Sequence, residues 1–198
     1  MLRVLTESLI EWKDDPYKKP LIIRGVSQCG KTYLLKDFGS KYYKDVLYIN
    51  FSEDRHYADL FKQNIHPRSL IKNMSLLRDM DIKPESTLII FDEIHSCLPA
   101  LKLLENINNE SLKDKLSNHN VGGSACRAIE TNYHLIATGS FFDIILPKVN
   151  VLTLFPMSFY EFLLAQNSML AMHLKESAFK DDALSTFSSQ LEEMFYDF

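Results

Sequence analysis

The sequence predicts an α/β fold: a three-layer αβα sandwich around a mainly parallel sheet, followed by a short helical C-terminal segment. Three observations predict it. Short runs such as Leu21-Ile22-Ile23 and Leu88 to Phe91 are apolar at every position, as strands buried on both faces must be. Segments of helical periodicity alternate with those runs, the pattern that a parallel sheet with crossover helices leaves in a chain. The three motifs that carry the chemistry also lie at the carboxyl ends of those runs, where the ligands of such sheets sit.

Taken in order, Leu2 to Trp12 reads as a helix with Leu2, Leu5, Leu9 and Trp12 on one face, broken at Asp14-Asp15-Pro16. Pro20 opens the first strand, a position where a missing N–H is tolerated. Leu34, Leu35, Phe38 and Tyr42 predict an amphipathic helix from Lys31 to Tyr43. A strand from Val46 to Phe51 ends in Ser52-Glu53-Asp54, and two helices follow near His56–Gln63 and Arg68–Met80. The turn Pro84-Glu85-Ser86 precedes the strand in TLIIFDEI, residues 87–94. Asn106 to Gly123 is polar, rich in Asn, and reads as a mobile loop. HLIATGS, residues 134–140, is a further buried-type strand, and another runs from Val149 to Pro156. Ser158 and Glu161 have the spacing of a capping box. Leu184, Phe187, Leu191, Met194, Phe195 and Phe198 form a helical stripe that needs a covering surface. These features divide the chain into 1–155, the core domain, and 156–198, a helical extension read as the start of a lid or of a truncated second domain.

The chemistry concentrates in three places. Gly25, Val26, Ser27, Gln28, Cys29, Gly30, Lys31 and Thr32 fill G-x-x-x-x-G-K-[ST] without a mismatch, between a strand and a helix that starts at Lys31 and Tyr33. Glycines let the backbone wrap a phosphate, successive N–H groups turn inward as an anion nest, and the helix adds the positive end of its dipole. Lys31 then reaches the β/γ oxygens, and the Thr32 hydroxyl is placed to ligate Mg²⁺. ATP and Mg²⁺ are the cofactors this implies, in a P-loop NTPase fold. No N-K-x-D guanine-reading run is present.

The second place is Asp92-Glu93. An acid at the end of a neighbouring strand serves the Mg²⁺ shell, usually through water, because Mg²⁺ dehydrates reluctantly. Asp92 fits that role, and Glu93 fits a base that polarises the attacking water. The third is the end of the HLIATGS strand. If it lies between the other two, Thr138 or Ser140 meets the nucleophilic water or the γ-phosphate. Gly25, Gly30 and Gly139, of six glycines in the chain, fall in these segments. The site residues read from the sequence are therefore Glu93 and Lys31 for catalysis; Gly25 to Tyr33, Thr138 and Ser140 for nucleotide; and Thr32 and Asp92 for metal.

With those residues in hand, the chain resembles the AAA-superfamily ATPases. In particular it resembles the prokaryotic family in which an N-terminal ATPase domain precedes a restriction-endonuclease-like domain. PLIIRGVSQCGKTYLLKDFG, VLYINFSED, LIIFDEIHSCLPAL, HLIATGS and LTLFPMSFYEFLLA carry the resemblance, in that order. It implies Lys31 and Thr32 on phosphate and Mg²⁺, Asp92 as the metal-side acid, Glu93 as the base, and Ser140 or Thr138 as the sensor. It also implies a second domain that this chain does not include. Three departures stand out: Ser27 where many relatives have Arg, a longer link over 105–130, and a shorter stretch from Phe141 to Val151.

Composition bounds the partners. At 198 residues and 46% hydrophobic, the chain can bury one sizeable core, and its net charge of −4 comes with lysines scattered among acids. No basic stripe predicts a nucleic-acid face. Cys29, Cys97 and Cys126 give neither a disulfide framework nor zinc spacing, and the six histidines are dispersed. His95, near Glu93, reads as an ordinary loop residue. No membrane span or secretory signal is legible, so the expected compartment is the cytoplasm. The expected partners are nucleotide, an unidentified protein or the absent domain, and other copies of the chain. Two functional readings follow. One is an ATPase whose cycle drives or gates a conformational change, assisted by an arginine from a neighbour (Arg24, Arg55, Arg68 and Arg127 are candidates). The other is a nucleotide-gated interaction module with little turnover. A small-molecule kinase fits less well, because the strand-borne acid pair is present and an Arg-rich lid is not.

Overall fold

A computed structural model of the chain describes residues 3–62, 66–104, 133–140, 148–176, 191–192 and 194–195. Among these, five strands form one sheet in the order β2-β3-β4-β1-β5, every pair parallel. The strands are β1 (Leu21–Arg24), β2 (Asp45–Asn50), β3 (Thr87–Asp92), β4 (His134–Gly139) and β5 (Asn150–Thr153). The helices are α1 (Leu5–Asp14), α2 (Lys31–Tyr42), α3 (Arg55–Lys62), α4 (Pro67–Arg78), α5 (Phe159–Gln166) and α6 (Ser168–Glu176), and residues 98–104 are also helical.

Strand alternation explains the three layers. Ile22, Leu47, Ile49, Ile89, Phe91, Leu135 and Ala137 point to one face, where they pack with Tyr57, Phe61, Leu70, Met74 and Leu104. Their neighbours Leu21, Ile23, Leu88, Ile90 and Ile136 point to the other, against Leu9 and Trp12 of α1 and Leu34, Leu35 and Phe38 of α2. Because β3 and β4 lose both faces to helices, all their residues are buried, which is why they read as unbroken apolar runs.

Several boundaries differ from the sequence expectations. The first helix spans Leu5–Asp14, two residues beyond the expected end at Trp12, while Leu2, its expected first residue, lies outside the described residues. Tyr42, expected on the apolar face of α2, is 38% exposed. The helix ends there, and the extended backbone at Tyr43 turns that ring inward instead. β5 stops at Thr153 rather than Pro156: its partner β1 ends at Arg24, whose carbonyl accepts the last rung from Leu154 N–H. The turn at 84–86 and the capping box at Ser158 and Glu161 form as expected, both reciprocal bonds of the box being made. The loop at 106–123 and residues Leu184, Phe187 and Phe198 lie outside the described residues. Leu191 and Met194 pack on a small core made by Leu163, Leu170, Ala171 and Leu174, and Phe195 meets Phe159 edge-on at 5.3 Å.

His134, at the start of β4, faces Trp12 and Tyr43, whose hydroxyl lies 2.7 Å from Nδ1. Its Nε2 is buried with no partner among the described residues. Burial first, then the nearby Lys18 and Lys13, push the imidazole down to about 4. The folded state therefore holds His134 neutral, while the unfolded chain takes up a proton near 6.5. Stability is fully present above the unfolded value and falls as pH drops from about 6.5 towards 4, by roughly 3 kcal/mol for this group. Urea midpoints measured across that window should fall for the wild type, and fall less steeply for His134→Gln.

Candidate functional site

The sheet order places β4 between β1 and β3, so the three chemical segments end side by side at the carboxyl edge. The loop between β1 and α2 is shaped by backbone handedness. Gln28 (φ 63°) and Gly30 (φ 94°) both occupy the left-handed region, and Gly30 precedes α2 with no side-chain cap. The leading N–H groups of α2 are thus directed at the loop rather than at a capping oxygen. Gly25 is required by contact: a Cβ there would lie 2.3 Å from the Leu154 carbonyl oxygen. Cys29 Sγ donates to that same oxygen at 3.6 Å, so the loop leans on the exit of β5 at two points.

Lys31 is 5% exposed, and its ammonium donates to the carbonyls of Gly25 (3.0 Å) and Val26 (2.7 Å). The charge is held inside the loop and hydrogen-bonded there. Val26, Ser27 and Gln28 are exposed at the rim, and Tyr33 is exposed on the first turn of α2.

Asp92 is the hub. Thr32 Oγ1 donates to Oδ2 at 2.7 Å, Tyr48 OH donates to the same oxygen at 2.7 Å, and Thr138 Oγ1 donates to Oδ1. Burial on its own raises the carboxyl, but bonds from Thr138, Thr32, Tyr48 and the Glu93 N–H outweigh it and hold Asp92 below the usual carboxylate range. Asp92 is therefore an anion at neutral pH. Burial, then the bond to this anion, raises the Tyr48 phenol, which stays a donor.

Glu93 leaves the strand with φ 52°, and its N–H donates to Thr138 Oγ1 at 3.3 Å. Side chains that would alternate across the sheet are brought to one edge by this turn. The Glu93 carboxylate is about one-third exposed and lies 3.1 Å from His95 Nδ1. Thr138 is wholly buried, with its hydroxyl engaged by Asp92 and Glu93, so it braces the acid pair from behind. Ser140, just past β4, is exposed.

The structure thus brings Lys31, Thr32, Asp92, Glu93 and Thr138 together and leaves Ser140 at the open edge. Sequence reasoning missed Tyr48 and Arg3, and it read His95, near Glu93, as an ordinary loop residue, whereas its ring meets the Glu93 carboxylate. Tyr48 carried no signal, since its role follows from β2 lying beside β3. Arg3 donates to the Cys29 carbonyl, which no local pattern foretells.

The donor set suits Mg²⁺. A hydroxyl has one donor and two acceptor lone pairs; with the Thr32 hydrogen spent on Asp92, its lone pairs are left for a cation. Hydroxyl and carboxylate oxygens are the hard ligands Mg²⁺ takes, with water completing its shell. Among the described residues no cluster of three or more His, Cys, Asp or Glu side chains forms an all-protein metal cage.

A family model described as an AAA domain matches residues 17–163, a span that includes the phosphate loop, Asp92-Glu93, β4 and the Ser158 capping box. No curated protein matches the chain.

Proposed function

The chain belongs to the AAA domain family, and on that premise we propose that it is a Mg²⁺-dependent ATPase that hydrolyses ATP to ADP and phosphate to drive or gate a conformational change. The observation that carries this reading is the Thr32–Asp92 bond, which joins the phosphate loop to the acidic strand. Lys31 turns from the Gly25 and Val26 carbonyls to phosphate oxygens, and the loop N–H groups and α2 share that charge. Thr32 and Asp92, joined by their hydrogen bond, would hold Mg²⁺. When bound, Mg²⁺ neutralises the charge developing on the β- and γ-phosphates. Glu93 accepts hydrogen bonding from the attacking water and orients it in line. Thr138 fixes both acids, and Ser140 is left to touch the γ-phosphate or its water.

One observation favours the second reading, a nucleotide-gated interaction module with little turnover: Glu93 Oε2 lies 3.1 Å from His95 Nδ1, a partner that competes with the attacking water for the carboxylate. We read the helices beyond residue 156 as the output of either reading, towards a protein partner, another copy, or a restriction-endonuclease-like domain. Among the described residues no helix is long and apolar enough to cross a membrane, and we propose a cytoplasmic setting.

Asp92→Asn tests the metal assignment. It keeps the shape but removes the charge that Thr32 donates to. ATP affinity measured with Mg²⁺ should drop at least tenfold, while affinity in EDTA stays near wild type. Equal losses in both conditions would place Asp92 outside the metal site.

A further inference from the structure

Arg3 and Glu161 lie 158 positions apart and form an ion pair at 3.0 Å with both side chains 7% exposed. Neither is explained by the chemistry of ATP hydrolysis. Glu161 is the third residue of α5, and its carboxylate collects three N–H or O–H groups besides its ion pair: Oε2 accepts from Ser158 N (2.9 Å) and Ser158 Oγ (3.4 Å), and Oε1 accepts from Val4 N (2.9 Å) as well as Arg3 Nε, while its own N–H returns to Ser158 Oγ (3.2 Å). One carboxylate therefore starts α5 and pins the entry to α1.

The rest of the guanidinium points at the phosphate loop. Nη2 donates to the Phe155 carbonyl at 2.7 Å and Nη1 to the Cys29 carbonyl at 3.4 Å. A Cβ placed on Gly30 would lie 3.7 Å from Nη1, so the guanidinium sits directly against the Cys29–Gly30 peptide. In a trans peptide the C=O and the following N–H point in opposite directions. Holding the Cys29 carbonyl on the Arg3 side thus aims the Gly30 N–H the other way. The fixed fork of arginine is what allows one side chain to make all three bonds at once.

Resting on the nucleotide-binding reading above, we propose that Arg3 is a positioning residue that couples the C-terminal helical pair α5–α6 to the phosphate loop, so that nucleotide occupancy and the docking of those helices favour each other. The coupling is reciprocal, as any linkage between two sites must be: tighter docking of α5 raises nucleotide affinity, and nucleotide tightens docking. Leu154 supports the same connection, since its carbonyl takes the Cys29 thiol and touches Gly25 just before the chain reaches Phe155. The C-terminal helices report on the loop through Phe155, Glu161 and Arg3.

The test uses the full chain, Mg²⁺·ATP as ligand, and Arg3→Lys, which keeps the charge on Glu161 but lacks the fork. Fluorescent-ATP titration gives affinity, and amide hydrogen exchange follows Phe159–Gln166 with and without nucleotide. In the wild type, Mg²⁺·ATP should slow exchange in Phe159–Gln166 about tenfold. Arg3→Lys should weaken ATP about tenfold and abolish that nucleotide-dependent protection. Glu161→Gln should do the same, and the double variant should be no worse than either single one. An ion pair that only stabilises the fold would raise exchange in both states and leave the difference between them intact. Wild-type protein that binds Mg²⁺·ATP yet exchanges Phe159–Gln166 equally in both states overturns the coupling alone. Wild-type protein that fails to bind Mg²⁺·ATP overturns the nucleotide reading, and this inference with it.

Discussion

Replacing Lys31 with alanine is expected to weaken ATP binding by about 10- to 100-fold while leaving the sheet intact. A hydrogen bond to a charged group contributes about 1.5–3 kcal/mol net, and each 1.4 kcal/mol is tenfold in affinity. Lys31 is buried within the loop, its ammonium bonded to the Gly25 and Val26 carbonyls. Those carbonyls are replaceable partners: phosphate oxygens carry full charge and make shorter, stronger bonds with an ammonium. The side chain lies at the start of α2 and its ammonium bonds loop carbonyls rather than strand residues, so truncating it acts on the loop and not on the strand pairing. Titration with a fluorescent ATP analogue measures the loss directly. Unchanged affinity would move the nucleotide away from this loop.

Glu93→Gln should have the larger effect on turnover and almost none on binding. General-base assistance contributes about 10²- to 10⁴-fold, and the amide cannot supply it. The geometry isolates the effect. Glu93 is held by its backbone, through φ 52° and the Thr138 bond, so the isosteric amide keeps its place. Phosphate release should fall at least 100-fold with ATP affinity within a factor of two of wild type. If the wild type itself releases no phosphate above the Glu93→Gln background, the gated-module reading replaces the ATPase.

The parts of the fold that could be read in the chain are those where local chemistry and burial agree. β3 and β4 are buried on both faces, so their composition alone announces them. The loop announces itself because close backbone approach demands glycine at 25 and a left-handed φ of 94° favours it at 30, and the box at Ser158 because its two bonds span a single turn. What could not be read depends on which strands are neighbours. Tyr48 reaches Asp92 only because β2 pairs with β3, and Thr138 turns to the acids because β4 lies beside β3. The sequence placed Thr138 near the phosphate; in the folded chain its hydroxyl is spent on the acid pair. Arg3 lies furthest from any local signal, since its partners come from three separate segments.

The central claim is that the loop, Thr32 and Asp92 enclose one nucleotide and its metal. A crystal structure with Mg²⁺ and a non-hydrolysable ATP analogue tests it most directly. Lys31 should have left the Gly25 and Val26 carbonyls for the phosphates, with Mg²⁺ beside Thr32 and Asp92 behind it. A nucleotide bound elsewhere, with Lys31 still on those two carbonyls, would contradict the account.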